Sequence, residues 1–242
     1  MIGRFLEFSV ATLDIQLSLD FYLRLGFTEA QVGEAVSHPY AVVTDGRISI
    51  GLHQEILTTP RLTFVKPNLL TYLTELERLD IKFESRRLGN DVFNELSWRD
   101  PSDHMIHLVE ARTFSPSKRP STNISDCGYF QEIALPANDN EAAKYYWEQF
   151  GFVGMDEPEA WLAHVSCTSD TIDLGLYDPA LIRKPSLLFE TENLEIRLAR
   201  LAEKGIEPSH TMASRSGTMH ATVLTAPEGT PILITAAMDE RR

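Results

Sequence analysis

The sequence predicts an α+β protein built from four tandem βαβββ units, two in each half of the chain. The first observation behind this is a repeat. Phe5 to Phe27, FLEFSVATLDIQLSLDFYLRLGF, is echoed by Phe130 to Phe152, FQEIALPANDNEAAKYYWEQFGF. Each copy runs from a short apolar strand through a polar turn into a helix that ends in Gly-Phe. Repetition on this scale signals two copies of one folded unit. Set 124 residues apart, Tyr22 meets Tyr146, Glu7 meets Gln131, and Ile48 to Leu52 (ISIGL) meets Ile172 to Leu176 (IDLGL). The second observation is that strand and helix patterns alternate in the same order four times. The third is Phe114 to Ser125, rich in Pro and Ser and without periodicity, which reads as a linker. The expected domains are therefore 1–112 and 126–242, joined through 113–125. Each half has roughly 110 residues, enough to close a core.

Arg4 to Ala11 is rich in strand formers, and Asp14 offers a helix N-cap. Leu17, Phe21 and Leu25 recur at helical spacing, and Gly26 ends the helix. Strands are predicted near Thr28–Gly33, Tyr40–Thr44 and Arg47–His53, with Asp45-Gly46 as a two-residue hairpin signal. The second unit starts at Arg61 with LTFVKP. Asn68 is its cap, and Leu69, Leu73, Leu76 and Leu79 form the buried stripe. Its strands fall near Ile81–Glu84, Val92–Trp98 and His104–Glu110, with Asp100 to Asp103 turning into the last. The third unit starts at Tyr129. The fourth starts near Ser186, has Asn193 capping a helix, and ends on the strand Pro231 to Thr235.

Apolar residues make up 43% and charged residues 24%, which is ordinary for a globular chain. The net charge of −13 argues against nucleic acid and against an anionic membrane as partners. Cys127 and Cys167 lack metal-type spacing, which predicts buried free thiols in a reducing compartment. With no apolar run long enough to span a bilayer and no signal-peptide pattern, the expected location is the cytoplasm.

Asp14, Ser18, Phe21, Tyr22, Leu25, Gly26 and Phe27 form D-x-x-x-S-x-x-F-Y followed by L-G-F, and Asp100-Pro101 is a version of a recurring Asp-Pro turn. On these residues, and on the fourfold unit, the chain resembles the vicinal oxygen chelate superfamily of glyoxalases, bleomycin-resistance proteins and extradiol dioxygenases. The resemblance implies two glyoxalase-like domains, each a cup-shaped mixed sheet, with metal ligands on the first and last strands of each paired unit. Carried over, those positions are Glu7, Gly51, Arg61 and His107 in the first half. In the second they are Gln131, Gly175, Ser186 and Leu233.

A divalent metal needs three or four converging donors. The second half offers only Gln131, so it is read as metal-free, which argues against extradiol chemistry. In the first half Glu7 and His107 remain, either as a weak metal site and catalytic pair or with Glu7 in an internal ion pair or hydrogen bond to His107 or Arg61. The ion pair is the favoured reading, because buried carboxylates need paired charge. His104 and His107 have opposite strand parity and should not share an ion. Gly51 and Gly175, in the middle of strands, mark either a bulge or room for a ligand.

Parity lines the first cup with Phe5, Glu7, Ser9, Ser49, Gly51, His53, Arg61, Thr63, Met105 and His107. It lines the second with Gln131, Ile133, Asp173, Gly175, Tyr177, Ser186, Leu188, Glu190, Leu233 and Thr235. Tyr22 and Tyr146 are read as core residues. The expected function is metal-free binding of a small organic ligand by a monomer or homodimer. The alternative is a metal-dependent lyase, isomerase or hydrolase acting through Glu7 and His107 on a substrate with vicinal oxygens. No phosphate-binding loop, dinucleotide fingerprint or nucleophile elbow is present.

Overall fold

The computed structural model describes residues 1–31, 38–56, 60–111, 125–213 and 219–237. The predicted linker lies outside these except for Ser125, which is buried.

The first half contains β1 (Arg4–Ala11), α1 (Ile15–Arg24), β2 (Thr28–Ala30), β3 (Tyr40–Thr44), β4 (Ser49–His53), β5 (Arg61–Lys66), α2 (Leu69–Arg78), β6 (Phe83–Arg87), β7 (Glu95–Arg99) and β8 (Met105–Glu110). The second half repeats the order with β9 (Tyr129–Pro136), α3 (Asn140–Gln149), β10 (Val153–Glu157), β11 (His164–Thr168), β12 (Leu174–Tyr177), β13 (Ser186–Thr191), α4 (Leu194–Glu203), β14 (His210–Ala213), β15 (Met219–Thr225) and β16 (Pro231–Ala236). Four βαβββ units thus form two eight-stranded mixed sheets, ordered β2-β3-β4-β1-β5-β8-β7-β6 and β10-β11-β12-β9-β13-β16-β15-β14. At each centre two first strands pair antiparallel, and each is flanked by the parallel last strand of its own unit.

Local chemistry sets the element ends. The side chains of Asp14, Asp139 and Asn193 each accept the third backbone N–H of the helix that follows. Asn68 does not cap in that way. It sits in the left-handed region at φ 56°, and the Leu69 N–H is taken instead by Glu110 Oε2 at 3.1 Å. The Asp45-Gly46 turn is longer than two residues. Thr44 pairs with Ser49, while Asp45 Oδ1 accepts from the Arg47 and Ile48 amides. Asp100 likewise holds the Ser102 and His104 amides and the His104 ring.

One hydrophobic core runs through both halves on the helix side of the sheets. α1 and α3 are the bridges. Tyr22 and Ser18 of α1 donate to Glu228 at 2.7 and 2.9 Å, and Phe27 meets Phe189 edge-on. Trp147 of α3 packs on Phe64, and the Tyr146 hydroxyl accepts from Trp98 Nε1 at 2.6 Å. The predicted core roles of Tyr22 and Tyr146 hold. Cys127 and Cys167 are free and buried, also as expected.

The pairing of the repeat is corrected by one residue. β1 and β9 share one burial pattern, and the helix caps fall at Asp14 and Asp139. The first strand and helix are therefore offset by 125 residues, so Glu7 matches Glu132 and Tyr22 matches Trp147. The glycines of β4 and β12 keep the offset of 124.

Candidate functional site

The face of each sheet away from the helices forms a cup, and in both a glutamate from the central strand dominates it. Glu7 and Glu132 are 3% and 6% exposed. Neither points straight up. Each carboxylate lies over the neighbouring glycine, so a Cβ added at Gly51 or Gly175 would overlap it. This is why those strand positions are glycine. The space that the sequence suggested for a ligand is filled by the protein's own carboxylate.

In the first cup Glu7 Oε1 accepts from Ser9 Oγ at 2.7 Å and meets His53 Nε2 at 2.9 Å, while Oε2 accepts from the Tyr40 hydroxyl. Ser9 is joined to Thr63 at 2.7 Å. Burial pushes the Glu7 carboxyl up, but His53, Tyr40 and Ser9 together outweigh it and hold the group below its ordinary value. Glu7 is thus an ionised carboxylate at neutral pH. Burial and the same carboxylate raise the Tyr40 hydroxyl, which stays a donor.

The second cup keeps the constellation with two members exchanged. Tyr40 of β3 is paired in register with His53 of β4, whereas His164 of β11 is paired with Tyr177 of β12. Tyr177 donates to Glu132 Oε1 at 2.5 Å, and His164 stacks on it with Nε2 3.7 Å from the same oxygen. Here burial prevails. It raises the Glu132 carboxyl against the pull of His164 and Tyr177, with Asp173 and Glu157 adding to the rise. The surroundings are apolar: Ala134, Tyr177, Ile182, Ala221 and Leu233 cluster on this face, with Trp161, Leu162 and Met212 packed over them.

Glu7 and His107 do not meet. Thr63 lies in register between them on β5, so their strands are two spacings, roughly 9.5 Å, apart. His107 Nε2 pairs instead with Glu95 Oε2 at 3.1 Å. The His107 bond holds the Glu95 carboxyl down against burial, with Arg87 and Arg61 assisting. Arg61 is half-buried, and Glu55 and Glu95 are carboxylates that act on its charge. Burial lowers its guanidinium and those two carboxylates oppose the fall. Glu7 is paired internally, as expected, but with His53, Tyr40 and Ser9 where His107 was expected.

Of the other predicted residues, Ser49, Met105 and Thr63 do share the first cup face with Glu7, Gly51 and His53. Phe5 does not. A register shift between Phe5 and Glu7 turns its ring into the core against Phe64 at 5.5 Å. The matching shift in β9 leaves Gln131 outside the register, bonded to Glu190, while Glu132 takes the cup position. Ile133 belongs to the helix-side core. Tyr40, His38, Glu55, Glu95, Glu132 and His164 were missed. The F-x-E pattern shared by Phe5–Glu7 and Phe130–Glu132 was the available signal for Glu132.

The carried-over ligand positions do not converge on one point: Glu7 and His107 stand on strands two spacings apart. Gly51 offers no donor beside Glu7, whose oxygens are taken by the Ser9 and Tyr40 hydroxyls and the His53 imidazole, and His107 is held by Glu95. Among the described residues no group of three or more His, Cys, Asp or Glu is placed to hold a metal ion. In the second cup Glu132 is accompanied by Gly175, Leu188 and Leu233.

No protein-family model matches the chain, and no curated protein matches it by sequence. Solved structures match over its whole length. A catechol 2,3-dioxygenase is 14% identical with a TM-score of 0.58, over 98% of this chain and 88% of its own. The Mn(II)-bound glyoxalase from Novosphingobium aromaticivorans is 13% identical with a TM-score of 0.64, over 98% and 83%. Homoprotocatechuate 2,3-dioxygenase from Brevibacterium fuscum is 14% identical with a TM-score of 0.63, over 98% and 72%.

Proposed function

The chain has the fold of the vicinal oxygen chelate superfamily, and from that premise we infer that it is a metal-free binding protein for a small organic molecule, held in the first cup. The observation that carries this reading is the fate of Glu7. The one carboxylate at a ligand position of the first half is folded over Gly51 into hydrogen bonds from Tyr40, Ser9 and His53. A metal would have to compete with these bonds for a buried carboxylate that they already satisfy. The second cup supports the choice of the first, because Trp161, Leu162 and Met212 pack against an apolar cluster on that face.

In the first cup the ligand meets the apolar side of Met105, the half-buried Arg61 and the His107–Glu95 pair, a mix of apolar wall and oriented polar groups that suits a small polar molecule. The dioxygenase and glyoxalase neighbours raise the other reading, a metal-dependent lyase, isomerase or hydrolase using Glu7 and His107.

Elemental analysis of protein purified without chelator separates the two. Substoichiometric zinc, manganese, nickel and iron, with a melting temperature indifferent to EDTA, is the expected result. About one equivalent of any of these, lost in both Glu7→Gln and His107→Ala, would establish the enzyme reading instead.

A further inference from the structure

A cavity of about 370 Å³ lies between the two halves, at the end of β1. The first half supplies Phe8 and Val10 of β1 and Pro60 ahead of β5. The second supplies Arg183 to Pro185 ahead of β13 and Glu228 to Pro231 ahead of β16. This cavity is separate from the first cup. Phe8 and Val10 alternate along the strand with Glu7 and Ser9 and belong to the helix-side core. Its volume falls within the range of small-molecule sites.

The walls are stiff and poor in hydrogen-bonding groups. Phe8 and Val10 are buried, and Pro60, Pro185 and Pro231 have a fixed φ and no N–H. Against these walls stand three charged side chains of both signs, Glu228, Arg183 and Lys184. They share one cavity without neutralising each other. Among the described residues none of the three enters an ion pair.

The half-buried Glu228 is held by hydroxyls of α1. Tyr22 donates to its Oε1 at 2.7 Å and Ser18 to its Oε2 at 2.9 Å. Burial and Glu228 itself raise the Tyr22 hydroxyl, which stays a donor. A carboxylate has roughly four acceptor positions, so these two bonds leave about half of its capacity unused. Arg183 and Lys184 are exposed and form the rim.

We propose that this cavity is a second ligand site, which takes a free α-amino acid with an apolar side chain. Its ammonium group meets Glu228, its carboxylate meets Arg183 and Lys184, and its side chain lies on Phe8, Val10 and the prolines. The charges decide between ligand classes. A simple anion would be repelled by Glu228, and a simple amine by the two cations. A neutral apolar molecule would cover charged groups and leave them without partners. A molecule carrying both charges satisfies each group. Because both halves supply walls, the bound molecule also ties them together and raises the unfolding temperature.

Calorimetric titration of the intact chain near neutral pH, with leucine, methionine and phenylalanine as probes, tests the site. At least one of them should bind one-to-one and shift the amide resonances of Val10, Ala11 and Gly229. Its analogues without the amino group or without the carboxylate should each bind at least about tenfold more weakly. For leucine these are 4-methylpentanoate and 3-methylbutylamine. Arg183→Ala combined with Lys184→Ala, both at exposed positions, should weaken the amino acid by a similar factor. In Glu228→Gln the preference for the amino acid over its deaminated analogue should disappear. Four results would each overturn the proposal: no binding by any of the three, shifts confined to other residues, analogues that bind as tightly, or undiminished affinity in the double variant. Should Glu228→Gln fail to fold, as its amide spectrum would report, the analogues and the double variant still decide.

Discussion

At the residue scale, Glu7 and Glu132 occupy matching positions with opposite electrostatic outcomes. Both start from an ordinary value of 4.5 and both suffer burial, but only Glu7 has enough donors to reverse it. The linkage signs follow. With its folded value lowered, Glu7 contributes stability that is present above 4.5 and is lost as pH falls through the lowered value. With its folded value raised, Glu132 contributes stability that is present below 4.5 and is lost as pH rises through the raised value. Urea unfolding across pH should therefore separate two conservative variants. Glu7→Gln should fall furthest behind the parent at neutral pH and close the gap in acid. Glu132→Gln should gain on the parent as pH rises from acid to neutral. Parallel profiles for the two variants would contradict the environments described here.

At the element scale, the exchange of Tyr and His between third and fourth strands shows what the glutamate requires. Residues paired across adjacent strands on one face present their tips to the same point, so either order delivers a hydroxyl and an imidazole to the carboxylate. Tyr40 and His53 sit at 4.5 Å between ring centres, and His164 and Tyr177 at 4.6 Å. The two residues of a pair should then be energetically coupled. In the second half, the double variant His164→Tyr with Tyr177→His should be more stable than the sum of its singles predicts, by about 1 kcal/mol or more in a double-mutant cycle. Strict additivity would mean the pair acts as packing alone. The same scale explains the D-x-x-x-S-x-x-F-Y motif: Ser18 and Tyr22 share a helix face and clamp Glu228 of the other half.

At the scale of the whole molecule, the two sheets are separate but the core is not. Phe27, Phe64 and Trp98 of the first half pack on Phe189, Trp147 and Phe150 of the second. Cutting the chain between halves would expose all six rings, each a large apolar area. Unfolding of the intact chain should accordingly be a single transition that coincides by fluorescence and circular dichroism. Residues 1–111 expressed alone should lack dispersed amide resonances. Two resolved transitions would show that each half closes its own core.

The βαβββ order, the α1 and α4 caps, the fourfold repetition and the mixed-sheet class were legible in the sequence, because hydrophobic period, capping residues and turns are local properties. So were the buried thiols and the presence of Glu7 on the face of the sheet away from the helices. The partners of Glu7 were not. His38 and Tyr40 lie more than thirty residues away, and only strand pairing brings them within reach. Strand parity failed at the register shifts beside Phe5 and Gln131, since one extra residue moves each following side chain to the other face. The amino-acid order by itself thus determined which elements form and where the repeats begin. The tertiary structure alone decided where the carboxylates turn: a side chain's direction over a neighbouring glycine depends on contacts across strands, which no local pattern encodes.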